Sequence, residues 1–331
     1  NIGNSFQDET GTREGRFAYD GPGDNSIRID RLHYSFPLLD DNLKVTAMAG
    51  LAAHHFYAET FNSGLNTGGG ATGALTRFGE RNPIYRQGIA NSSAGIGVTY
   101  SFGDFVEVSG GYIAPTASDP SDASGLFNGS FSAMGQTAVT PIEPLKVGFT
   151  YVRGYDNEQA GLDDAGNPAD FRGSFLWGAT GTNFANFRGV GVTNEPIATN
   201  SFGAQFQFDI TPTISVRGWG SYTDADIIIG GDNGDGDIWN YAGAFVVSDL
   251  GKEGSLAALI VGAEPYLTSI DADVDAITEY LDVDQFSLKG SQVDYNVVEI
   301  VTYCDGVSDG RDLEPNTPKG QLVNFNGMSF S

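Results

Sequence analysis

The sequence predicts an all-β protein, and specifically an up-and-down antiparallel β-barrel that crosses a membrane. Apolar and polar residues alternate with a period of two along most of the chain, which is typical of strands with one apolar and one polar face. Short and long connections alternate between these strands. No apolar run approaches the roughly 20 residues of a membrane-spanning helix. We therefore expect the apolar face to meet lipid and the polar face to line an interior.

The clearest unit is the hairpin of residues 200–222. Phe202 and Phe206 belong to an apolar set that alternates with small and polar residues. A tight turn at residues 211–213 leads into a second strand, in which Ile214 begins the same alternation. Most of the chain repeats this unit. The class of the protein therefore depends on whether the apolar face contacts lipid, as in a membrane barrel, or a second sheet, as in a soluble sandwich.

The N-terminal third predicts two hairpins with a long connection between them. Strands 26–37 and 43–51 flank a turn at 38–42, and a later hairpin turns at residues 103–104. The stretch 57–88 between them is Gly-rich and irregular. Soluble domains seldom keep a structureless connection of this length, whereas large barrels do so on their extracellular side.

The rest of the chain predicts further strands separated by loops. The strands are 130–140, 145–151, 237–250, 255–263 and 293–303. A long loop covers residues 154–199, and acidic loops cover residues 224–237 and 265–284. The tail after residue 304 is polar until residues 322–330.

The lengths of the connections support the barrel. The short turns are 38–42, 103–104, 141–144, 211–213 and 249–252. The long loops are 57–88, 114–128, 154–199, 223–237 and 265–284. An up-and-down barrel with short turns at one end and long loops at the other produces this order. A soluble Greek-key sandwich, which stays open as the alternative, has no reason to alternate in this way.

Composition and charge exclude several classes of function. The chain carries 42 acidic against 17 basic residues, a net charge of −25, which argues against nucleic acid as a partner. Of these, 20 acidic and only 4 basic residues fall in residues 218–331. The contents of 46 Gly, 22 Phe and 14 Tyr suit strands, turns and membrane interfaces. The single cysteine excludes a disulfide within the chain.

Three stretches resemble a known family. They are IRIDRLHYSFPL at 27–38, NSFGAQFQFDITPTISVRGWGSYTDA at 200–225 and GDIWNYAGAFVVSDLGKEGSLAALIVGAEP at 236–265. These are similar to the C-terminal barrel of cyanobacterial outer-membrane porins of the carbohydrate-selective, OprB-like family, some of which are described as iron-uptake porins. The most specific match is the pair of segments at 236–240 and 249–253.

The resemblance implies a fold, a location and partners. It implies a barrel of 16 strands that occupies the whole chain, residues 1–331, and assembles as a homotrimer in the cell outer membrane, in contact with its lipid and lipopolysaccharide. From the residues given, we expect this chain to lack the N-terminal S-layer-homology and coiled-coil regions of the family. The region after Cys304 departs from the apolar closing strands that we expect of the family.

The function that the resemblance implies is passive diffusion of small hydrophilic solutes, such as sugars and inorganic ions, through a water-filled barrel. A selective pore for iron or other inorganic ions is the alternative. A soluble all-β adhesin or carbohydrate-binding module is the alternative from another class. We expect no enzymatic activity and no cofactor, because no nucleophile elbow, phosphate loop or paired-cysteine motif is present in the sequence.

Polar residues of the predicted strands are candidates to line a pore, although any alternating strand has a polar face. They are Arg31, His33, Lys44, Glu107, Lys146, Gln205, Gln207, Arg217 and Asn240. Loop 57–88 adds Arg77, Arg81 and Arg86, which could form a constriction that favours anions or sugar hydroxyls. The plainer interpretation of these arginines is a solvated basic patch that pairs with Glu80.

Acidic, histidine and aromatic residues yield weaker hypotheses. The acidic loops 224–237 and 271–284 could bind divalent cations or attract hydrated iron, but their spacing does not match an EF-hand, and a solvated anionic loop is favoured. The pair His54-His55 is expected to point to opposite faces of a strand, which disfavours a shared metal site. Candidates for an interfacial aromatic girdle are Tyr222, Trp239 and Tyr241.

Overall fold

The fold is one antiparallel sheet with two connecting segments packed against one of its faces. The computed structural model describes residues 14, 16, 29, 31–39, 42–66, 73–90, 93–157, 176–178, 180–182, 184–187, 196–228, 234–271 and 296–303. Its strands are β1 Arg31–Leu38, β2 Leu43–Gly50, β3 Ala94–Phe102, β4 Val106–Ala114, β5 Phe131–Ile142, β6 Leu145–Asp156, β7 Ile197–Thr211, β8 Ile214–Ile227, β9 Gly234–Ser248, β10 Leu256–Asp271 and β11 Asn296–Tyr303.

The topology is an up-and-down meander. Each strand pairs antiparallel with the next, in the order β1 to β11. Short turns join the strands at one end, for example between Thr211 and Ile214. Longer connections join them at the other end, except that only residues 228–233 separate β8 from β9. The prediction of an all-β, up-and-down fold is therefore confirmed. A count of 16 strands and the closure of the barrel stay predictions.

The two faces of the sheet differ in chemistry, and the period-2 pattern explains why. In β7, Phe202 and Phe206 are exposed on one face, while Ser201 and Gln205 are buried on the other. We call the first the bare face, because described segments outside the strands pack on the other. The second is the covered face. The alternation predicted for residues 200–222 is confirmed by this burial pattern.

The bare face is apolar across the sheet. Its large exposed side chains include Leu32, Tyr34, Ile96, Val108, Phe149, Tyr151, Phe202, Phe206, Phe208, Trp239, Tyr241, Phe245, Leu259 and Val261. A soluble monomer rarely exposes so extended an apolar surface. Among the described residues, no helix has the length and apolarity needed to cross a membrane.

Aromatic pairs lie on the bare face near the long connections. The ring of Tyr222 lies 5.0 Å from that of Trp239, its register partner, and the ring of Tyr151 lies 5.2 Å from that of Phe202. Amphipathic aromatic rings at this height of a strand suit the boundary between lipid and water.

Several predicted boundaries were wrong. Much of the predicted acidic loop 224–237 is strand, because β8 continues to Ile227 and β9 begins at Gly234. β10 continues to Asp271, so the third acidic loop does not begin at Pro265. In each case the aspartates suggest a loop by composition. They are nevertheless in strands, because their backbone groups pair with the neighbouring strand.

Two other corrections concern the first hairpin and the histidines. Ile29 lies outside any strand, so within the described residues β1 begins later than predicted, at Arg31. The histidine pair lies in the 3-10 helix His54–Phe56 and not in a strand. The acidic stretch after residue 271, residues 293–295 and the tail from Cys304 lie outside the described residues.

Candidate functional site on the covered face

The residues predicted to line a pore all lie on the covered face, but they fall into two groups by exposure. Arg31 and Lys44 in β1 and β2, and Lys146 in β6, are exposed. His33, Glu107 and Gln207 are half-buried, whereas Gln205, Arg217 and Asn240 are buried. The second half of the sheet is therefore the more completely covered on this side.

Two parts of the chain cover this face. The larger lies between β2 and β3, and we call it the inserted segment; the structure describes its residues 51–66 and 73–90. Residues of the β6–β7 connection, such as Trp177 and Phe187, also pack there, in one cluster with Ile238 of β9.

Three short helices shape the inserted segment, at His54–Phe56, Arg77–Glu80 and Pro83–Arg86. The hydroxyl of Thr76 accepts a hydrogen bond from the Gly79 N–H at 3.0 Å, which caps the second helix. The side chain of Asn82 caps the third, where Pro83 stands at the first position.

Apolar side chains anchor the inserted segment to β8, β9 and β10. Leu65 and Phe78 are fully buried in a cluster with residues of these strands. The strand residues of this cluster are Trp219, Ala242, Ala244, Val246, Leu256, Ala258 and Ile260. The rings of Phe78 and Trp219 meet edge to face at 5.7 Å. Burial of this apolar part of the covered face stabilises the seated segment.

Glycines of the covered face receive large side chains of the inserted segment. A Cβ on Gly97 or Gly111 would overlap Tyr57, and a Cβ on Gly148 would overlap the ring of Phe61. We call these glycines, together with Gly203 against Ile84, the socket glycines. Because glycine has no side chain, backbone and aromatic ring approach more closely than any other residue would allow.

Hydrogen bonds fix the middle of the segment to β5 and β6. The Tyr85 hydroxyl donates to Gln136 Oε1 at 2.6 Å and lies 3.2 Å from the hydroxyl of Thr150. The Gln136 side chain donates to the backbone oxygen of Glu59 at 2.9 Å. Burial raises the pKa of Tyr85 above its ordinary value, so its hydroxyl keeps the proton that it donates.

Further hydrogen bonds tie the end of the segment to β7 and β8. Gln87 Nε2 donates to Ser201 Oγ at 2.7 Å, and the hydroxyl of Ser221 donates to Asn82 Oδ1 at 3.2 Å. A buried polar network of this kind specifies one arrangement of the segment, because each broken contact would leave a buried donor or acceptor without a hydrogen-bond partner.

The three arginines predicted to form a constriction lie in the inserted segment, and two of them are buried. Arg81 and Arg86 lie 3.0 Å and 3.1 Å from Oε2 of Glu80. Arg77 donates from its guanidinium to the backbone oxygen of Gly178 at 3.1 Å. The pairing with Glu80 matches the plainer prediction, but the group is buried and not solvated. Whether this segment narrows a pore stays a prediction.

Burial affects the charges of this group. It lowers the pKa of Arg81 to about 10, and Glu80 opposes that shift, so the guanidinium stays charged at neutral pH. Burial also lowers the pKa of Arg86, again against Glu80. Two cations that share one carboxylate give this part of the segment a net positive charge.

The two histidines act as structural groups of the inserted segment. His54 is fully buried, with Nδ1 2.7 Å from the Tyr57 hydroxyl and Nε2 2.7 Å from Ser132 Oγ. Burial lowers the pKa of His54 to about 3, and it also lowers the pKa of His55, where Arg81 acts in the same direction. Both rings are therefore neutral at physiological pH. Among the described residues, no group of His, Cys, Asp or Glu is arranged to hold a metal ion.

The aspartates of the predicted acidic loop form register pairs on the bare face at the long-connection ends of β8 and β9. Asp224 faces Asp237, and Asp226 faces Asp235. Asp237 accepts hydrogen bonds from the Tyr222 hydroxyl and from Ser269 Oγ, each at 2.5 Å. The prediction of an acidic loop is therefore wrong for these four carboxylates, which belong to paired strands.

Sequence reasoning missed most of the inserted segment's architecture. It placed arginines there, but it did not find that Tyr57, Phe61 and Ile84 insert against glycines. The available signal was glycine at covered-face positions, such as Gly97 and Gly148, where polar residues alternate with apolar ones. Such glycines mark a close approach of another part of the chain.

Comparison with known proteins gives consistent matches. The family model described as carbohydrate-selective porin, OprB family, matches residues 1–316. An uncharacterized protein of Nostoc sp. is 31% identical over 270 residues, covering 79% of this chain and 44% of that protein. An uncharacterized protein of Synechocystis sp. is 31% identical over 280 residues, covering 79% and 47%. The chain thus spans about half the length of the curated relatives that it matches.

Two solved structures of an outer membrane protein of Vibrio cholerae are also similar to this chain. One is a loop L8 deletion mutant of the outer membrane protein OmpT, with a TM-score of 0.35 and 13% identity, covering 80% of this chain and 69% of that one. The other is in-vitro folded OmpT, with a TM-score of 0.31 and 13% identity, covering 80% and 62%.

Proposed function

The chain belongs to the carbohydrate-selective porin, OprB family, a family of the outer membrane, and from that premise we propose that it gives small hydrophilic solutes passive diffusion through a water-filled barrel. The single observation that carries the proposal is the contrast between the faces of the sheet. An apolar bare face suits lipid, and a covered face with charged residues suits water.

The exposure of the charged residues indicates where the water path runs. Arg31, Lys44 and Lys146 are exposed on the covered face, and all three lie on β1 to β6. On β7 to β10 the corresponding Gln205 and Arg217 are buried beneath the inserted segment. We infer that solutes pass beside the segment, over β1 and the parts of β2 to β6 that the segment leaves exposed.

Charges of both signs lie along this path. Lys146 Nζ lies 3.4 Å from Oε2 of Glu59, and its side chain is 46% exposed, so the pair is solvated and contributes little to stability. Glu107 and Lys44 lie on the same face. Such a mixed lining suits neutral polar solutes and small ions of either sign better than it suits one ion.

The second candidate is a pore that passes inorganic ions but excludes sugars. The contacts of the inserted segment favour this candidate. Its side chains contact strands from β3 to β10, so the segment occupies space on the covered face that a sugar would need. Selective uptake of iron would be a special case. Assembly as a trimer, contact with lipopolysaccharide and the absence of catalysis are further proposals that follow from the family.

The test is single-channel recording of the full chain in a planar bilayer, followed by swelling of protein-loaded vesicles in sugars of increasing size. We expect stepwise conductance, and swelling in monosaccharides at a rate that falls with sugar size. Steps without swelling would support the inorganic-ion pore instead. Well-folded protein that never gives steps would overturn both candidates.

Charge substitutions sharpen the test. Lys146→Glu should shift the reversal potential under a salt gradient towards cation selectivity, because Lys146 is exposed on the proposed path. Lys252→Glu changes the same charge in the exposed turn after β9 and is the matched control. Equal shifts in the two variants would contradict the proposed position of the path.

A further inference from the structure

The inserted segment buries a group of charges in which cations outnumber anions. The side chain of Arg81 is fully buried, and that of Arg86 is 10% exposed. Their Nη1 atoms lie 3.0 Å and 3.1 Å from the same oxygen, Oε2 of Glu80. One carboxylate therefore faces two guanidiniums, and one positive charge within this group has no counter-charge.

Further cations act on the same two arginines. Burial is the largest cause that lowers the pKa of Arg81, and the charges of Arg86 and Arg31 lower it further. Burial and then the charge of Arg16 lower the pKa of Arg86. Glu80 is the acid that opposes both shifts. The surroundings of the two guanidiniums therefore favour a further anion.

The two arginines also carry buried donors that no described residue accepts. Nε of Arg81 donates to Oδ1 of Asn66, but its Nη2 has no hydrogen-bond partner among the residues that the structure describes. Nε of Arg86 is buried and unpaired in the same part of the chain. Buried donors are nearly always paired in folded proteins. A water molecule would accept from them but would leave the excess charge, whereas an anion meets both needs.

We propose that Arg81 and Arg86 hold a small monovalent anion such as chloride, as a structural ligand of the inserted segment. The anion accepts from Nη2 of Arg81 and balances the charge that Glu80 leaves. Because Arg81 is closed to solvent, the ion is a resident of the fold and not a solute in passage. The site does not depend on whether the chain conducts solutes.

Charge and packing select the class of anion. A monovalent ion balances two guanidiniums and one carboxylate, whereas a divalent ion would bury an excess negative charge. The imidazole of His55 is neutral and supplies no second positive charge. Gly178 packs directly on Arg86, and a Cβ added there would overlap the Arg86 side chain, so a bulky oxyanion has no room on that side.

The backbone that carries the donors is fixed. Nδ2 of Asn62 donates to the backbone oxygen of Gly79 at 2.9 Å and to that of Glu80 at 2.8 Å. These bonds hold the chain directly before Arg81, so its guanidinium is pre-organised and little entropy is lost when the ion binds. Binding should therefore stabilise the folded chain in proportion to the free anion concentration over its dissociation constant.

The experiment follows heat-induced unfolding of the full chain in detergent, with sodium gluconate replaced stepwise by sodium chloride at constant ionic strength. We expect the unfolding temperature to rise by about 2–5 °C and to saturate in the millimolar range. Arg81→Lys keeps a charge beside Glu80 but removes Nη2, and it should abolish the rise. Arg153→Lys, which alters the partly exposed pair with Asp226 on the bare face, is the matched control and should keep the rise.

A second variant acts in the opposite direction. Glu80→Gln removes the carboxylate that competes with the anion, so the half-saturating chloride concentration should fall about tenfold. This variant decides the question if Arg81→Lys does not fold. A half-saturating concentration that stays the same or rises in Glu80→Gln overturns the proposal.

The wild-type chain alone can also refute the site. An unfolding temperature that is the same in chloride and gluconate excludes a resident chloride. A rise that grows without saturation, or that Arg81→Lys shares in full, is a general salt effect and overturns the proposal. A saturable rise that only Arg81→Lys loses supports it, with or without conductance in bilayers.

Discussion

The fit of Phe61 to Gly148 allows a single methyl group to test whether the inserted segment blocks the covered face. In Gly148→Ala the new Cβ would overlap the ring of Phe61, which is 1% exposed. The ring has little room to move, because it is buried in a close-packed site and any shift must displace its neighbours. The substitution should therefore displace this part of the segment from β6.

The magnitude follows from the cost of overpacking. Inserting a methyl group into a filled site costs about 1–3 kcal/mol. If the seated and displaced segments are in equilibrium, this cost shifts the ratio about 5- to 150-fold towards the displaced form. We expect a larger mean unitary conductance, or more frequent transitions to larger conductance levels, and a lower temperature for heat-induced unfolding on gels.

Gly135→Ala is the matched control, because a Cβ at Gly135, on the bare face of neighbouring β5, meets nothing within 4 Å. It should leave conductance and unfolding unchanged. A second variant, Phe61→Leu combined with Gly148→Ala, relieves the overlap and should restore part of the wild-type behaviour. If Gly148→Ala itself matches the wild type in both measurements, the seated segment is not in contact with β6 as described, and the reasoning is refuted.

Three further predictions concern other parts of the fold. Glu80→Gln leaves two buried guanidiniums without their shared carboxylate and should destabilise the chain by about 3–5 kcal/mol in denaturant unfolding, whereas Glu253→Gln at an exposed turn should change nothing. Burial lowers the pKa of His54 from 6.5 to about 3 in the folded chain, so between pH 3 and pH 6.5 only the unfolded chain binds a proton at this imidazole. The free energy of unfolding should therefore fall by up to about 1.4 kcal/mol per pH unit as the pH drops from 6.5 to 3. His54→Gln should flatten that pH dependence in denaturant unfolding. Phe149→Arg on the bare face should reduce folding into lipid vesicles, at a cost of about 2–4 kcal/mol near mid-bilayer, while Phe149→Leu should fold normally; equal yields would show that this face does not meet lipid.

The strands could be predicted where side-chain period and turn chemistry agree. In residues 200–222 the alternation around Phe206 and the turn near Pro212 both indicate a hairpin, and the structure has one there. Prediction failed at Asp224 and Asp235, which composition assigns to a loop. Their strand conformation comes from backbone pairing with a neighbour, which a single segment's sequence does not reveal.

The inserted segment could not be predicted for a different reason. Helices of three or four residues, such as His54–Phe56, are too short to show a period of 3.6 residues. Its position depends on complementary shape, with Tyr57 set against Gly97 on a strand about forty residues away in sequence. A single glycine in a strand does not indicate which part of the chain will pack against it.

The composition of the covered face shows that the seated segment is required and not incidental. In β9 and β10, Ala244, Val246 and Ile260 point to the covered face, and apolar side chains there would be costly against water. Leu65 and Phe78 of the inserted segment bury them. On β2 to β6 the covered face keeps exposed charges at its short-turn end, where no such cover is needed. The segment thus contacts strands from β3 to β10 and buries apolar side chains of β8 to β10, while the predicted pore residues that stay exposed beside it lie on β1 to β6.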